Sequence, residues 1–172
     1  MSEKEWLDER EARAWRGFVR LQSEIRARTN RQLQRDSGLS EADYAVLVSL
    51  SEAPGGRLRA FELGRETKWE KSRLSHHLSR MEQRGLVMRE RCPSDNRGFE
   101  VALTPAGRTA IEAAAPRHVA HVRELMIDVL TPEQLDALGD IADAVIAGLD
   151  TCTTEEVCPE EQYPVGEACD AD

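Results

Sequence analysis

Basic and hydroxyl side chains recur between residues 71 and 80 at spacings that place them on one side of a helix. Leu74, Leu78 and Met81 repeat at intervals of four and three, so they form the inner face of that helix. The opposite face then carries groups that hydrogen-bond phosphate oxygens and base edges. These residues are Lys71, Ser72, Arg73, Ser75, His76, Ser79 and Arg80. Their chemistry indicates binding of a polyanion.

Turn-forming residues at 92–98 separate two short apolar segments that alternate in the manner of strands. The pattern predicts a β-hairpin directly after the helix. At its tip, Arg97 would suit the narrow and negative minor groove of a DNA duplex. Asp95 could orient an arginine through a carboxylate–guanidinium pair.

The charge distribution supports the same interpretation. The whole chain has a net charge of −9, which by itself argues against a nucleic-acid partner. Residues 57–100, however, carry 11 Lys/Arg and 7 Asp/Glu. Because salt screens distant charges, this local basic segment is what a polyanion would meet. Residues 151–172 contain seven acids and no base, and we expect them to form a solvated, mobile tail.

Composition excludes several classes of protein. The 172 residues predict one domain with an appendage, and 5% aromatic residues disfavour an all-β fold. The apolar runs are too short for a membrane span, and the first ten residues lack the apolar segment of a secretory signal, so a cytoplasmic location is expected. Ser75, His76 and His77 are consecutive on a helix, where side chains do not face one another. We therefore expect no enzyme activity and no cofactor.

The elements that would position the polar residues are mostly helices. Residues 5–36 are predicted to form one long helix that ends near Gly38. Ser40, with Asp43 three residues later, predicts the capped start of a second helix. Shorter helices are expected over about 60–67 and 70–84. The inner stripe of the second helix is expected at Tyr44, Leu47, Val48 and Ser51.

Two more helices are predicted after the hairpin, beginning at Thr104-Pro105 and at Thr131-Pro132. Pro116 should kink or interrupt the first of them. The first carries a heptad-like seam at Ile111, Ala115, His118, Val122, Leu125 and Val129, and the second an apolar stripe at Leu135, Leu138, Ala142, Val145 and Leu149. These faces are too extended for one small lobe to cover, which favours partner helices from a second copy. The alternative is a three-helix bundle within one chain.

This order of elements is that of a mainly α protein with a small β-hairpin wing, a winged helix-turn-helix. The expected organisation is a winged helix-turn-helix lobe over 38–104, helical dimerisation segments over 1–37 and 105–149, and the acidic tail over 150–172.

The chain resembles the MarR (multiple antibiotic resistance regulator) family of bacterial transcription factors over residues 10–149. The motifs that carry the resemblance are Glu62-Leu63-Gly64, KSRLSHHLSRMEQRGLV over residues 71–87 and Leu103-Thr104-Pro105-Ala106-Gly107, together with Arg89, Asp95, Arg97 and Val101. The resemblance implies an obligate homodimer whose first and last helices intertwine as the dimer base. It implies a pseudo-palindromic duplex DNA operator, usually for repression. It also implies a small-molecule or oxidant site between the dimer base and the DNA-binding lobe.

The signal site is only weakly specified by the residues. Trp15, Arg16, Tyr44 and Trp69 are candidates for an effector pocket, although core packing also accounts for each of them. Cys92 lies next to Arg91, a cation that lowers the pKa of a neighbouring thiol, so it is a candidate redox residue. Some relatives sense oxidants through a cysteine in the first helix, but residues 1–91 contain none. No metal site is expected, because His118 and His121 lack a third ligand nearby.

The sequence therefore predicts a sequence-specific DNA-binding transcriptional regulator, in the repressing sense, that binds its operator as a homodimer and is released by a small molecule or oxidant. No membrane partner is expected. One alternative is a winged-helix protein-interaction module without specific DNA binding, which the net charge of −9 would suit. Another is a thiol- or metal-responsive module that uses the C-terminal cysteines.

Overall fold

The fold is that of a computed structural model, which describes residues 6–91 and 99–153 and the side chains as far as 150. It forms two compact units that divide after Asp128. The described elements are α1 (Glu9–Ser37), α2 (Glu41–Glu52), β1 (Arg57–Arg59), α3 (Ala60–Thr67), α4 (Lys71–Gln83), β2 (Val87–Arg91), β3 (Phe99–Leu103), α5 (Pro105–Val122) and α6 (Pro132–Thr153). The mainly α winged-helix class is confirmed, whereas the predicted domain boundaries stay a prediction.

Three antiparallel strands form the sheet in the order β1-β3-β2. Val101 in the central strand is paired with Leu58 on one side and Arg89 on the other. The hairpin of β2 and β3 was predicted, but β1 was not. Its three residues are too few to show an alternating pattern, and only pairing with β3, more than 40 positions away, makes them a strand.

Side-chain caps define most helix ends as the sequence indicates. The Ser40 hydroxyl accepts a hydrogen bond from the Asp43 N–H, and the Asp43 carboxylate accepts one from the Ser40 N–H. Gly38 ends α1 with φ of 66°, a left-handed conformation that glycine adopts without strain. The start of α1 differs from the prediction, because the Asp8 side chain caps the helix at Glu9.

Apolar residues from α2, α3, α4, the sheet and α5 form the core of the first unit. The predicted inner stripe of α2 is partly wrong. Val46 and Leu50 are fully buried with Leu47, whereas Tyr44 and Val48 are only partly covered. Helix α2 therefore packs against α3 and the sheet with a different set of residues from the predicted one. Which residues are buried depends on the neighbouring elements and not on apolar character alone.

The first turn of α5 is attached to the start of the wing. The Thr104 hydroxyl lies 2.6 Å from the Gly85 carbonyl oxygen and 3.0 Å from that of Leu86, and it accepts a hydrogen bond from the Gly107 N–H. A Cβ atom on Gly107 would overlap the carbonyl oxygen of Leu86, so only glycine allows this approach.

The predicted interruption of α5 at Pro116 does not occur, whereas a kink at this position stays a prediction. The helix continues through Pro116 to Val122, and a five-residue π-helical turn over Arg123–Ile127 follows it. The proline removes a single backbone hydrogen bond, and the helix tolerates that loss. The π-helical turn therefore begins seven positions after the proline.

Two helices leave apolar faces uncovered. In α1, Trp15 and Phe18 are each more than half exposed. In α6, which lies in the second unit, the predicted stripe is exposed except at the half-buried Leu138, with Val145 57% exposed. No helix within residues 6–91 and 99–153 has the length and apolar character needed to cross a membrane.

Candidate nucleic-acid interface

Helix α4 presents the predicted polar face to solvent. Its inner residues Leu74, Leu78 and Met81 are buried, as the spacing predicts. Six of the seven predicted contact residues in this helix are exposed: Lys71, Ser72, Arg73, Ser75, His76 and Arg80. They form one continuous basic and hydroxyl-bearing surface that can donate hydrogen bonds to phosphates and base edges.

Ser79, the seventh residue, is placed differently because its hydroxyl already has two protein partners. It donates to the backbone carbonyl of Ser75 at 3.1 Å and accepts from a guanidinium nitrogen of Arg89 at 3.1 Å. Its side chain is half-buried at the junction between α4 and the wing. Ser79 thus holds the wing strand against the helix in the structure.

Arg89 of β2 joins the wing to α4. Its Nη2 donates to the Ser75 carbonyl oxygen at 2.8 Å, its Nη1 lies 3.8 Å from Glu82, and its guanidinium lies over the ring of Phe99. From the sequence, Arg89 is part of the family motif and has no assigned role. It is one of three charged residues in β2, and this local pattern does not identify its partners.

Arg73 stacks on an aromatic ring at the start of α4. Its guanidinium carbon lies 4.7 Å from the ring centre of Trp69, a cation–π contact. The rings of Trp69 and His77 in turn form a T-shaped pair, with centroids 5.2 Å apart and planes at 82°. The indole therefore connects an exposed arginine to a buried histidine.

His77 lies in a buried polar cluster under the exposed face. Its Nε2 is 3.1 Å from Oδ1 of Asp43, and its Nδ1 is 3.1 Å from a guanidinium nitrogen of Arg80. Arg84 donates to the other Asp43 oxygen at 2.7 Å and to the Gly38 carbonyl at 2.9 Å. The cluster ties α2 and the end of α1 to α4. From the sequence, Asp43 was predicted only as a capping residue, and His77 was considered only as a neighbour of Ser75 and His76 on the helix.

The Asp43 carboxylate is held ionised by these partners. Burial opposes the charged form, but hydrogen bonds from His77, from Ser40 and from Arg84 outweigh it, so the pKa of Asp43 lies well below its usual range. The cluster therefore keeps a negative charge under a positively charged surface at neutral pH.

The predicted tip of the wing lies outside the described residues. Asp95, Arg97 and Cys92 all fall in the segment 92–98, so their predicted roles stay predictions. At the described base of the wing, Arg57 on β1 pairs with Glu90 at 3.0 Å.

The four candidate effector residues lie in three different environments. Trp15 and Arg16 line a shallow groove made by residues of α1. Tyr44 packs its ring against His118 of α5, with centroids 4.3 Å apart. Trp69 contacts His77, as described above. A shared effector pocket therefore stays a prediction.

His118 and His121 lie on α5, and both are half-buried. Burial, and then the nearby His121, lower the pKa of His118, and Glu41 opposes the shift. His118 Nδ1 and His121 Nε2 are buried without a hydrogen-bond partner among the described residues. No group of three metal-ligating side chains occurs in the part of the chain that the structure describes.

Comparison with solved structures identifies the fold and the family together. The crystal structure of AbsC, a MarR family transcriptional regulator from Streptomyces coelicolor, has a TM-score of 0.82 and 39% identity and covers 86% of this chain and 99% of AbsC. Sco3205, a MarR family regulator from the same organism solved in complex with DNA, has a TM-score of 0.80 and 43% identity over 84% of this chain and 94% of its own. The chain belongs to the MarR family of transcriptional regulators.

Sequence comparison agrees with this assignment. Residues 37–98 of this MarR-family protein match the model of the MarR family. The transcriptional regulator HosA of Escherichia coli is 33% identical over 102 residues, which span 59% of this chain and 73% of HosA. The transcriptional repressor YetL of Bacillus subtilis is 27% identical over 107 residues, 60% of this chain and 64% of YetL. The resemblance predicted from the motifs is confirmed.

Proposed function

We propose that this MarR-family regulator is a sequence-specific repressor that binds a pseudo-palindromic DNA operator as a homodimer and is released by a small-molecule or oxidant signal. The observation that carries the proposal is the exposed basic face of α4 in a winged helix similar to that of Sco3205, which was solved with DNA at 43% identity.

DNA contact follows from the shape and chemistry of α4. A helix fits the major groove, and its exposed arginines can grip guanine edges or phosphates. Arg73 and Arg80 are the proposed base or phosphate readers, with Lys71, Ser72, Ser75 and His76 as positioning donors. Ser79 would act through Arg89 or after exchanging its protein partners for DNA. Arg97 is proposed for the minor groove, with Asp95 orienting it.

Dimerisation is supported by the uncovered apolar faces of α1 and α6. Exposed patches of this kind usually mark an interface in a protein that stays in solution. A two-fold dimer would place two copies of α4 in successive major grooves, about 34–36 Å apart along the duplex.

We propose that two sets of residues release the protein from DNA. Trp15, Arg16, Tyr44 and Trp69 are proposed to respond to an effector, and Cys92 to an oxidant. Repression is supported by YetL, whose name describes it as a transcriptional repressor.

Selection from a randomised duplex library, in reducing buffer at physiological salt, tests the proposal. We expect enrichment of an inverted repeat with half-sites about one helical turn apart. A folded dimer that enriches no sequence would favour the second candidate, a winged-helix protein-interaction module, which the net charge of −9 supports.

A further inference from the structure

The hydrogen bond between His77 and Arg80 determines which ring nitrogen carries the proton. Arginine is always protonated and can only donate, so the Arg80 guanidinium 3.1 Å from Nδ1 requires that nitrogen to be an acceptor. The proton of the neutral imidazole is then on Nε2, which lies 3.1 Å from Oδ1 of Asp43 but forms no well-aligned hydrogen bond with it or with any other described residue. The contact between Nε2 and the ionised carboxylate is therefore electrostatic.

This arrangement fixes both the ring and the arginine that it holds. The His77 side chain is 9% exposed, and that of Asp43 is 5% exposed, so neither has room to turn. Arg80, in contrast, lies on the exposed face of α4. An exposed arginine otherwise samples many rotamers, and anchoring one of its nitrogens removes part of that freedom before DNA arrives.

The same ring also supports the second arginine of the surface. Trp69 forms a T-shaped pair with His77, and Arg73 lies over the Trp69 ring at 4.7 Å. Arg73 and Arg80 are thus oriented from below by one buried histidine, and Asp43 anchors that histidine to α2.

We propose that His77 is a positioning residue that directs Arg80, and through Trp69 also Arg73, toward DNA. The proposal rests on DNA binding by α4, as proposed above. It adds a residue that touches no DNA itself.

Three charged groups surround the His77 ring. Asp43 faces His77 from α2, Arg80 faces it from α4, and Arg84 reaches the same carboxylate. The acceptor at Nδ1 is therefore the group that holds Arg80, and the carboxylate lies on the opposite side of the ring.

Two substitutions of His77 test the contacts of its two ring nitrogens separately. In His77→Asn, the amide oxygen lies near the position of Nδ1 and can accept from Arg80, but the reach to Asp43 is lost. In His77→Gln, the amide nitrogen can donate to Asp43, but no acceptor remains near Arg80. Both remove the imidazole, so they serve as controls for each other in packing and stability, which thermal unfolding would check.

The test is a double-mutant cycle with Arg80→Ala, read by the affinity for a fluorescent duplex. The probe is the duplex that the selection enriches or, if it enriches none, a random-sequence duplex at low salt, on which Arg80 would still contact phosphate. We expect Arg80→Ala to weaken binding by about three- to tenfold in wild-type and His77→Asn backgrounds and by less than twofold in His77→Gln. Arg91→Ala, at an exposed arginine of β2, should cost the same in all three.

The three backgrounds decide the outcome. An equal cost of Arg80→Ala in wild type, His77→Asn and His77→Gln would overturn the proposal.

A measurement without DNA separates this proposal from DNA binding itself. Two-bond ¹H–¹⁵N correlations of the protein alone should show the proton of His77 on Nε2 at pH 8, and Arg80→Ala should change the Nδ1 shift. A proton on Nδ1 at pH 8 would contradict the positioning role even if the selection succeeds. The expected tautomer with no binding of either duplex would overturn the DNA-directed role and the proposed function together.

Discussion

The winged-helix lobe and the flanking helices use their apolar residues in opposite ways. In the lobe, leucines of α2, α3 and α4 and valines of the sheet are covered within one chain. In α6, the equally regular stripe around Val145 is exposed, as is Phe18 in α1. Similar periodic patterns thus lead to a closed core in one region and an open face in the other.

The difference teaches what periodicity can and cannot predict. Apolar periodicity shows that one face of a helix is to be buried. It does not show whether the residues that cover this face come from the same chain. In the lobe the short helices and the sheet supply that cover, and each segment closes on another. For the open faces of α1 and α6, the proposed cover is a second copy. Four pairs of substitutions would sharpen or break this contrast.

The largest effect is expected from truncating a leucine in the closed core. Leu78→Ala should lower the free energy of unfolding by about 2–5 kcal/mol, because Leu78 is fully buried and a cavity would remain. Leu149→Ala, at a side chain 62% exposed, should instead raise the dimer dissociation constant. Denaturant unfolding and sedimentation would measure the two quantities. An unfolding cost at Leu149 equal to that at Leu78, with unchanged dimerisation, would mean that the stripe packs within one chain.

A charge placed on the open stripe should come next. Val145→Asp is expected to weaken dimerisation by roughly a hundredfold, since an unpaired carboxylate would be desolvated at the interface. Ala147→Asp adds the same charge about 200° around the helix, on the far side of the stripe, and should have little effect. Sedimentation of both variants over a concentration series distinguishes them. Equal behaviour would assign the dimer contact to another surface.

The buried carboxylate of the lobe gives a pH-dependent prediction. Asp43→Asn should cost about 1.5–3 kcal/mol of unfolding free energy at pH 7. The pKa of Asp43 is lower in the folded than in the unfolded chain, so its stabilising effect is present above its ordinary pKa and disappears as the pH falls below about 4. The difference between wild type and variant should therefore shrink in acid. Exposed Asp140→Asn, as the control, should leave the profile unchanged, and a constant difference at every pH would contradict the assigned partners.

Two helical glycines offer the smallest and most direct contrast. Gly148→Ala, with nothing within 4 Å, should stabilise α6 by about 0.5–1 kcal/mol through helix propensity. Gly107→Ala should destabilise by about 1–3 kcal/mol, because its Cβ would overlap the Leu86 carbonyl and the backbone must shift. Thermal unfolding measures both signs. A gain at Gly107 would mean that the first turn of α5 is not fixed against the wing.

Much of the fold could be predicted because its signals are local. The caps at Ser40 and Thr104 and the inner face of α4 depend on residues within a few positions of each other. Strand β1 and the true inner edge of α2 depend on partners far along the chain, and local patterns carry no information about them. The interruption predicted at Pro116 does not occur, because the helix on both sides of the proline outweighs its low helix propensity.

The candidate site divides along the same line. Its exposed residues could be predicted because they are what remains after the inner face is assigned. The cluster beneath them could not, since Asp43 and His77 are 34 positions apart and lie on different helices. The contacts of Arg89 with Ser75 and Ser79 likewise join a strand to a helix.

The attachment of α5 to Leu86 has a mechanical consequence. The 18 residues of α5 form a rod about 27 Å long. Its first turn is fixed to the lobe by the Thr104 hydrogen bond and by the close approach of Gly107 to the Leu86 carbonyl. These two contacts oppose bending at that joint, so we expect a displacement of the far end of the helix to be transmitted to the wing. A sideways displacement of about 2 Å there rotates the lobe by roughly 4°. We therefore expect small movements at the far end of α5 to change the orientation of α4.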